Sequence, residues 1–183
     1  MQAAMQRVMI VGQPGSGKST LARQIGAITG LPVEHIDRIH WMPGWQERHR
    51  KEKTRMCHEV HARDRWIFEG GHSATWRERL ARCDTYIWVD LPLALRSWRV
   101  LKRTLRHYGR SRPDLPEGCP EQISWEFYRW IWDTRKTGRI GPARCLRSAQ
   151  KTKAAHHLRS PAEVKRFVVN LAAAYGTPVP PVD

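Results

Sequence analysis

Apolar residues along this chain alternate between short continuous runs and longer stretches at helical spacing, which predicts strands alternating with helices. Arg7 to Val11 is short and β-branched, and Leu21, Ile25 and Ile28 follow at helical intervals. Gly30-Leu31-Pro32 stops that helix, and Val33 to Asp37 reads as a second strand ending in a carboxylate. Gln46 to Asp64, charged and free of Pro and Gly, reads as a surface helix with Trp45, Met56 and Val60 on one side. Trp66 to Phe68 is a strand that runs into Glu69-Gly70-Gly71, a short helix covers Thr75 to Ala81, and Thr85 to Asp90 is a strand of the kind buried on both faces.

The second half carries a basic helix from Pro92 to Tyr108 with Leu93, Leu95, Trp98, Leu101 and Leu105, then a Gly-, Pro- and Arg-containing loop. An aromatic helix (Glu121 to Trp132), a basic helix (Pro142 to Lys153), a weak strand (Ala155 to Arg159) and a helix (Pro161 to Tyr175) complete it. We expect one α/β domain over residues 1–176, with a parallel sheet, helices on both faces, a lid near 108–122 and an irregular Pro-rich tail over 177–183.

Between the first strand and first helix lies Gly12-Gln13-Pro14-Gly15-Ser16-Gly17-Lys18-Ser19-Thr20, the spacing of a phosphate-binding P-loop. Its glycines permit a tight turn, so backbone N–H groups and the helix N-terminus can surround a polyphosphate. Lys18 is placed to reach the β- and γ-phosphates, and the Ser19 hydroxyl to meet Mg²⁺. ATP and Mg²⁺ are therefore the expected cofactors.

Phosphoryl transfer then needs carboxylates, and Asp37, Glu69 and Asp90 fall at predicted strand ends. Glu69 is the first choice for the metal, with Asp90 competing for that role, and Asp37 is the choice for the acceptor. Trp41 and Trp45 flank a Pro-Gly turn after Asp37, where they either line an acceptor pocket or pack. Trp66, Trp88 and Trp98 read as core, and Trp125, Trp130 and Trp132 as an aromatic wall behind the lid. His58-Glu59-Val60-His61 is one residue short of a zinc helix motif.

The chain has 183 residues with 32 Lys and Arg against 17 Asp and Glu, a net charge of +15, which suits anionic partners. Seven basic residues and no acid lie between Arg96 and Arg112, a field that can close over a nucleotide. The four cysteines form no C-x-x-C pair, so no zinc ribbon or disulfide framework is indicated, and no apolar run suits a membrane span or secretion signal. A cytoplasmic protein without membrane contact is expected.

The P-loop with Leu21-Ala22, Leu31-Pro32-Val33, His35-Ile36-Asp37, Trp41 with Pro43-Gly44-Trp45, Trp66-Ile67, Asp84-Thr85, Asp90-Leu91-Pro92 and Trp98 to Arg103 together resemble adenylate-kinase-related proteins of the topology modulation (FlaR-like) family. Arg112-Pro113-Asp114, Glu117 to Glu121 and Trp130 to Trp132 extend the likeness. The resemblance implies a P-loop nucleoside/nucleotide kinase-like fold with five parallel strands and a basic lid. It implies phosphate contacts for Arg79, Arg99, Arg103, Arg110 and Arg112, weaker ones for Arg135 and Arg139, and an adenine site near Leu158-Arg159-Ser160-Pro161. Where the family has Asp-Gly-Asn-Tyr-Ser, this chain has Glu69-Gly70-Gly71-His72-Ser73, which changes the metal and acceptor sides. The expected activity is ATP-dependent phosphoryl transfer to a small acceptor such as a nucleoside, nucleotide or other metabolite. The alternative is a nucleic-acid-associated NTPase or a DNA-binding protein affecting DNA topology.

Overall fold

The computed structural model describes residues 5–110 and 115–181. Strand β1 (Arg7–Gly12) leads through the P-loop into α1 (Lys18–Thr29), and β2 (Val33–His35) passes directly into a short helix α2 (Ile36–His40). A two-stranded hairpin, β3 (Trp41–Met42) and β4 (Gln46–Glu47), precedes α3 (Arg50–Ala62). β5 (Trp66–Glu69), a 3₁₀ turn (Ser73–Thr75), α4 (Trp76–Arg82), β6 (Thr85–Val89) and α5 (Leu93–Arg106) follow. Then come α6 (Trp125–Asp133), a second 3₁₀ turn (Thr137–Arg139), α7 (Ile140–Ala149), β7 (Ala154–Leu158) and α8 (Pro161–Tyr175).

The expected α/β architecture is present. Five strands form a parallel sheet in the order β2-β5-β1-β6-β7. Alternation along each strand divides the core between the two faces. Val8 and Ile10 of β1 pack with Leu21, Ile25 and Ile28 of α1 and with Val168 and Leu171 of α8. Met9 and Val11 face Cys57 and Val60 of α3 and Leu146 and Ala149 of α7. Parallel pairing aligns the strand C-termini, so the loops after β1, β2, β5 and β6 meet along one edge.

Several expectations change in detail. Asp37 lies in the first turn of α2, not at a strand end, because the chain turns helical one residue after His35. The charged stretch after Trp45 splits into a hairpin strand and a helix that starts at Arg50, capped by His49. Trp66 and Trp88 are buried as expected, but Trp98 is 61% exposed. The residues of α5 that turn inward are Arg96, Val100 and Thr104. Arg112 and part of the expected lid lie outside the described residues.

Candidate functional site

The P-loop is held from both sides. Gly15 (φ +75°) and Gly17 (φ +87°) occupy the left-handed region, which glycine enters without steric cost. Gly12 is pinned by space: a Cβ there would lie 2.6 Å from both Ser16 Oγ and Val89 O. At Gly15 a Cβ would collide with the carbonyl of Arg96. The Arg96 guanidinium, buried, donates to Leu91 O (3.0 Å) and Pro14 O (3.2 Å), so α5 is tied to the loop. Gln13 donates through Nε2 to Thr134 O (3.0 Å), attaching the turn after α6. α1 begins at Lys18 with no side-chain cap and no acidic residue in its first turn, which leaves its N-terminal N–H groups and dipole for an anion.

Behind the loop, Glu69 at the end of β5 is 1% exposed. Its Oε1 accepts from Ser19 Oγ (3.0 Å) and lies 2.7 Å from His35 Nδ1. Its Oε2 is buried and has no hydrogen-bond partner among the described residues. Burial alone raises the pKa of this carboxyl, but the Lys18 charge and the hydrogen bonds from His35 and Ser19 outweigh it and hold the group below the usual carboxylate range. A buried, ionised carboxylate beside the P-loop serine, with one oxygen unsatisfied, fits a hydrated divalent cation. The Ser19 proton is engaged with Glu69, which leaves the hydroxyl lone pairs available to such an ion.

Asp90, the competing carboxylate, is differently engaged. Arg139 grips both its oxygens, Nε on Oδ1 at 3.0 Å and Nη2 on Oδ2 at 2.6 Å, and His157 Nε2 lies 3.0 Å from Oδ2. His157 in turn stacks on Trp88, with ring centroids 4.2 Å apart. Arg135 folds back over the Trp132 ring at 4.2 Å.

The expected arginines separate into groups. Arg99 reaches the P-loop: a Cβ on Gly17 would lie 3.3 Å from its Nη1. Arg103 lies 3.3 Å from Glu121, whose carboxylate also accepts from Thr104. Arg110 is exposed, its backbone carbonyl accepting from Glu121 N. Arg79 corrects its expected role in phosphate binding. It is fully buried and donates to Gly70 O (3.1 Å), Gly71 O (3.4 Å) and His61 Nε2 (3.2 Å), so it supports the loop after β5 from beneath.

After β5, Gly70 takes φ +107° and a Cβ there would collide with Ile36 Cγ2, while His72 takes φ +62° despite its side chain. His72 Nε2 lies 2.9 Å from Thr54 Oγ1, and burial together with the charges of Lys53 and Arg79 lowers its pKa to about 4. Asp37, half-buried, follows Ile36 directly. Trp41 and Trp45 meet edge to face at 5.3 Å, and Trp45 Nε1 donates to Pro120 O (2.9 Å). Gly44 N donates to Gly118 O (2.8 Å), so the hairpin is fastened to the segment before α6. Near the far end of the last strand, Ser160 caps α8 by accepting from Glu163 N (3.2 Å), and Arg159 N donates to Glu163 (2.8 Å).

The His58, His61 and Glu78 ligand atoms lie within 4.8 Å of one another. His61 accepts from Arg79 at Nε2, however, and burial and the Arg79 charge bring its pKa down to about 3. Its one proton therefore sits on Nδ1, which makes that nitrogen a donor rather than a metal ligand.

His35 and Arg96 are the residues whose contacts in the site sequence reasoning missed. The signal for His35 was its register, since β2 and β5 pair His35 with Glu69.

No protein-family model matches the chain, and no curated protein matches it. Solved structures do. Shikimate kinase from Acinetobacter baumannii in complex with shikimate aligns with a TM-score of 0.60 at 14% identity, covering 93% of this chain and 92% of that one. Shikimate kinase from Bacteroides thetaiotaomicron aligns at 0.53 and 16%, covering 94% and 99%, and a Thermus thermophilus protein at 0.51 and 15%, covering 93% and 97%. The chain therefore has the fold of P-loop kinases such as shikimate kinase. No described helix is long and apolar enough to cross a membrane.

Proposed function

We propose that this protein is a P-loop kinase that transfers the γ-phosphoryl group of ATP to a small acceptor. The observation that carries this reading is the Ser19–Glu69 pair: an ionised carboxylate buried behind a complete P-loop, with one oxygen unsatisfied. In this reading the loop from Gly12 to Thr20 binds the phosphates through backbone N–H groups, and Lys18 neutralises the β- and γ-oxygens. Ser19 and Glu69 would hold Mg²⁺, directly or through water, and the ion would supply charge neutralisation for the transferring group. Asp90 is left with Arg139 and His157. Arg99 closes over the phosphates, and Arg103, Arg110 and Arg112 supply the field of the lid. Asp37 accepts the acceptor's proton. Trp41, Trp45, Gly70 and Gly71 border the acceptor, Arg135 and Arg139 lie on its lid side, and Arg159 and Ser160 border the base.

The motifs shared with the topology modulation family support membership in it, with a cytoplasmic setting. The similarly folded shikimate kinase from Acinetobacter baumannii is in complex with shikimate, which supports placing small hydroxyl-bearing anions first in an acceptor panel.

A second reading, nucleic-acid binding, draws on exposed Trp98 (61%) and Trp125 (81%) on a chain of net charge +15. Parallel titrations separate the two. The kinase reading expects Mg²⁺ and a non-hydrolysable ATP analogue to bind the wild type and Lys18→Ala to weaken that binding at least about tenfold. Oligonucleotide binding that survives Lys18→Ala, with no nucleotide binding by either protein, would favour the second reading.

A further inference from the structure

We infer that His35 is a positioning residue that orients Glu69 so that a single carboxylate oxygen is presented to the divalent cation; this rests on the phosphoryl-transfer reading above. β2 and β5 run parallel with His35 opposite Glu69, so the two side chains leave the sheet on the same face. Both are buried, at 6% and 1% exposure, and Nδ1 lies 2.7 Å from Oε1. The Ser19 hydroxyl donates to the same oxygen at 3.0 Å. Oε1 is thereby occupied twice, while Oε2 has no hydrogen-bond partner among the described residues.

A glutamate has one more torsion than an aspartate, and a buried glutamate without a lateral anchor can offer either oxygen. The His35 N–H removes that freedom. It leaves Oε2 as the oxygen that remains unsatisfied until an ion or its water shell arrives, and a buried acceptor in that condition is costly to leave unpaired. His35 touches neither phosphate nor metal in this assignment. It acts through Glu69.

The test is calorimetric titration of ADP into the full chain with and without Mg²⁺, using His35→Leu and His35→Asn. Leucine removes the donor at similar bulk, whereas asparagine keeps an N–H near the Nδ1 position. In His35→Leu the gain in ADP affinity supplied by Mg²⁺ falls about tenfold or more, with Mg²⁺-free affinity held within about twofold, and His35→Asn keeps most of the gain. Three results would each overturn the assignment: an unchanged Mg²⁺ gain in His35→Leu, an equal loss in His35→Asn, or a parallel loss of Mg²⁺-free affinity and thermal midpoint that marks a packing role. Failure of the nucleotide reading itself looks different, since the wild type would bind no ADP or would bind it no better than Lys18→Ala.

Discussion

Gly15 illustrates how single backbone positions shape the P-loop. Its φ of +75° strains any residue with a Cβ, and the carbonyl of Arg96 occupies the space that Cβ needs. Gly15→Ala therefore combines a left-handed penalty of about 1–2 kcal/mol with a shift of α5 away from the loop. We expect at least about a tenfold loss of Mg–nucleotide affinity by calorimetry, and unchanged affinity would show that the loop does not hold this geometry when it binds. The buried histidines give a pH prediction. His72 and His61 stay neutral down to about 4 and about 3, while the unfolded chain protonates them near the ordinary value of 6.5. Unfolding thus takes up protons as pH falls below 6.5, so their contribution to stability is complete above that value and declines toward 3. The urea midpoint should drop from pH 7 to pH 4. His61→Gln, which keeps an acceptor for Arg79, should flatten that decline, and equal slopes for the two proteins would contradict the account.

Among the elements, α5 runs against its own pattern. Its leucines and Trp98 predict a buried apolar stripe, yet Leu105 and Trp98 are both 61% exposed, and the inward stripe is Arg96, Val100 and Thr104. The P-loop explains the reversal, because its carbonyl at Pro14 takes a donor from Arg96 and its turn at Gly15 packs against the Arg96 carbonyl and Val100. Val100→Ala should cost roughly 1–3 kcal/mol and Trp98→Ser no more than about 0.5 kcal/mol in urea unfolding; the reverse order would restore the apolar stripe as the packed face. The core strands were legible because β1, β5 and β6 are continuous apolar runs, and the P-loop because its glycines stand at fixed spacing. The β3–β4 hairpin was not, since two-residue strands carry no periodicity. Nor was the burial of Arg79, because an arginine beneath a loop of carbonyls reads in sequence like any surface arginine. The contact of His35 with Glu69 depends on strand order, which composition does not encode.

For the whole molecule, a net charge of +15 sets two salt responses apart. Contacts between an exposed basic surface and nucleic acid weaken steeply between about 50 and 200 mM salt through counterion release, by several powers of ten when many phosphates are engaged. In the proposed kinase, nucleotide phosphates held by backbone N–H groups and Lys18 would be screened less. Fluorescence titrations across that range should therefore find ATP affinity changing by about tenfold at most while oligonucleotide affinity collapses. An equally steep fall for ATP would place the nucleotide on the open surface instead of in the loop. The measurement closest to the central claim is transfer of labelled γ-phosphate from ATP to a panel of nucleosides, nucleoside monophosphates and small hydroxy acids, by the wild type and by Lys18→Ala. The account predicts one labelled acceptor class with the wild type and at least about a hundredfold lower transfer with Lys18→Ala; labelling of no acceptor, or equal labelling by both proteins, would contradict it.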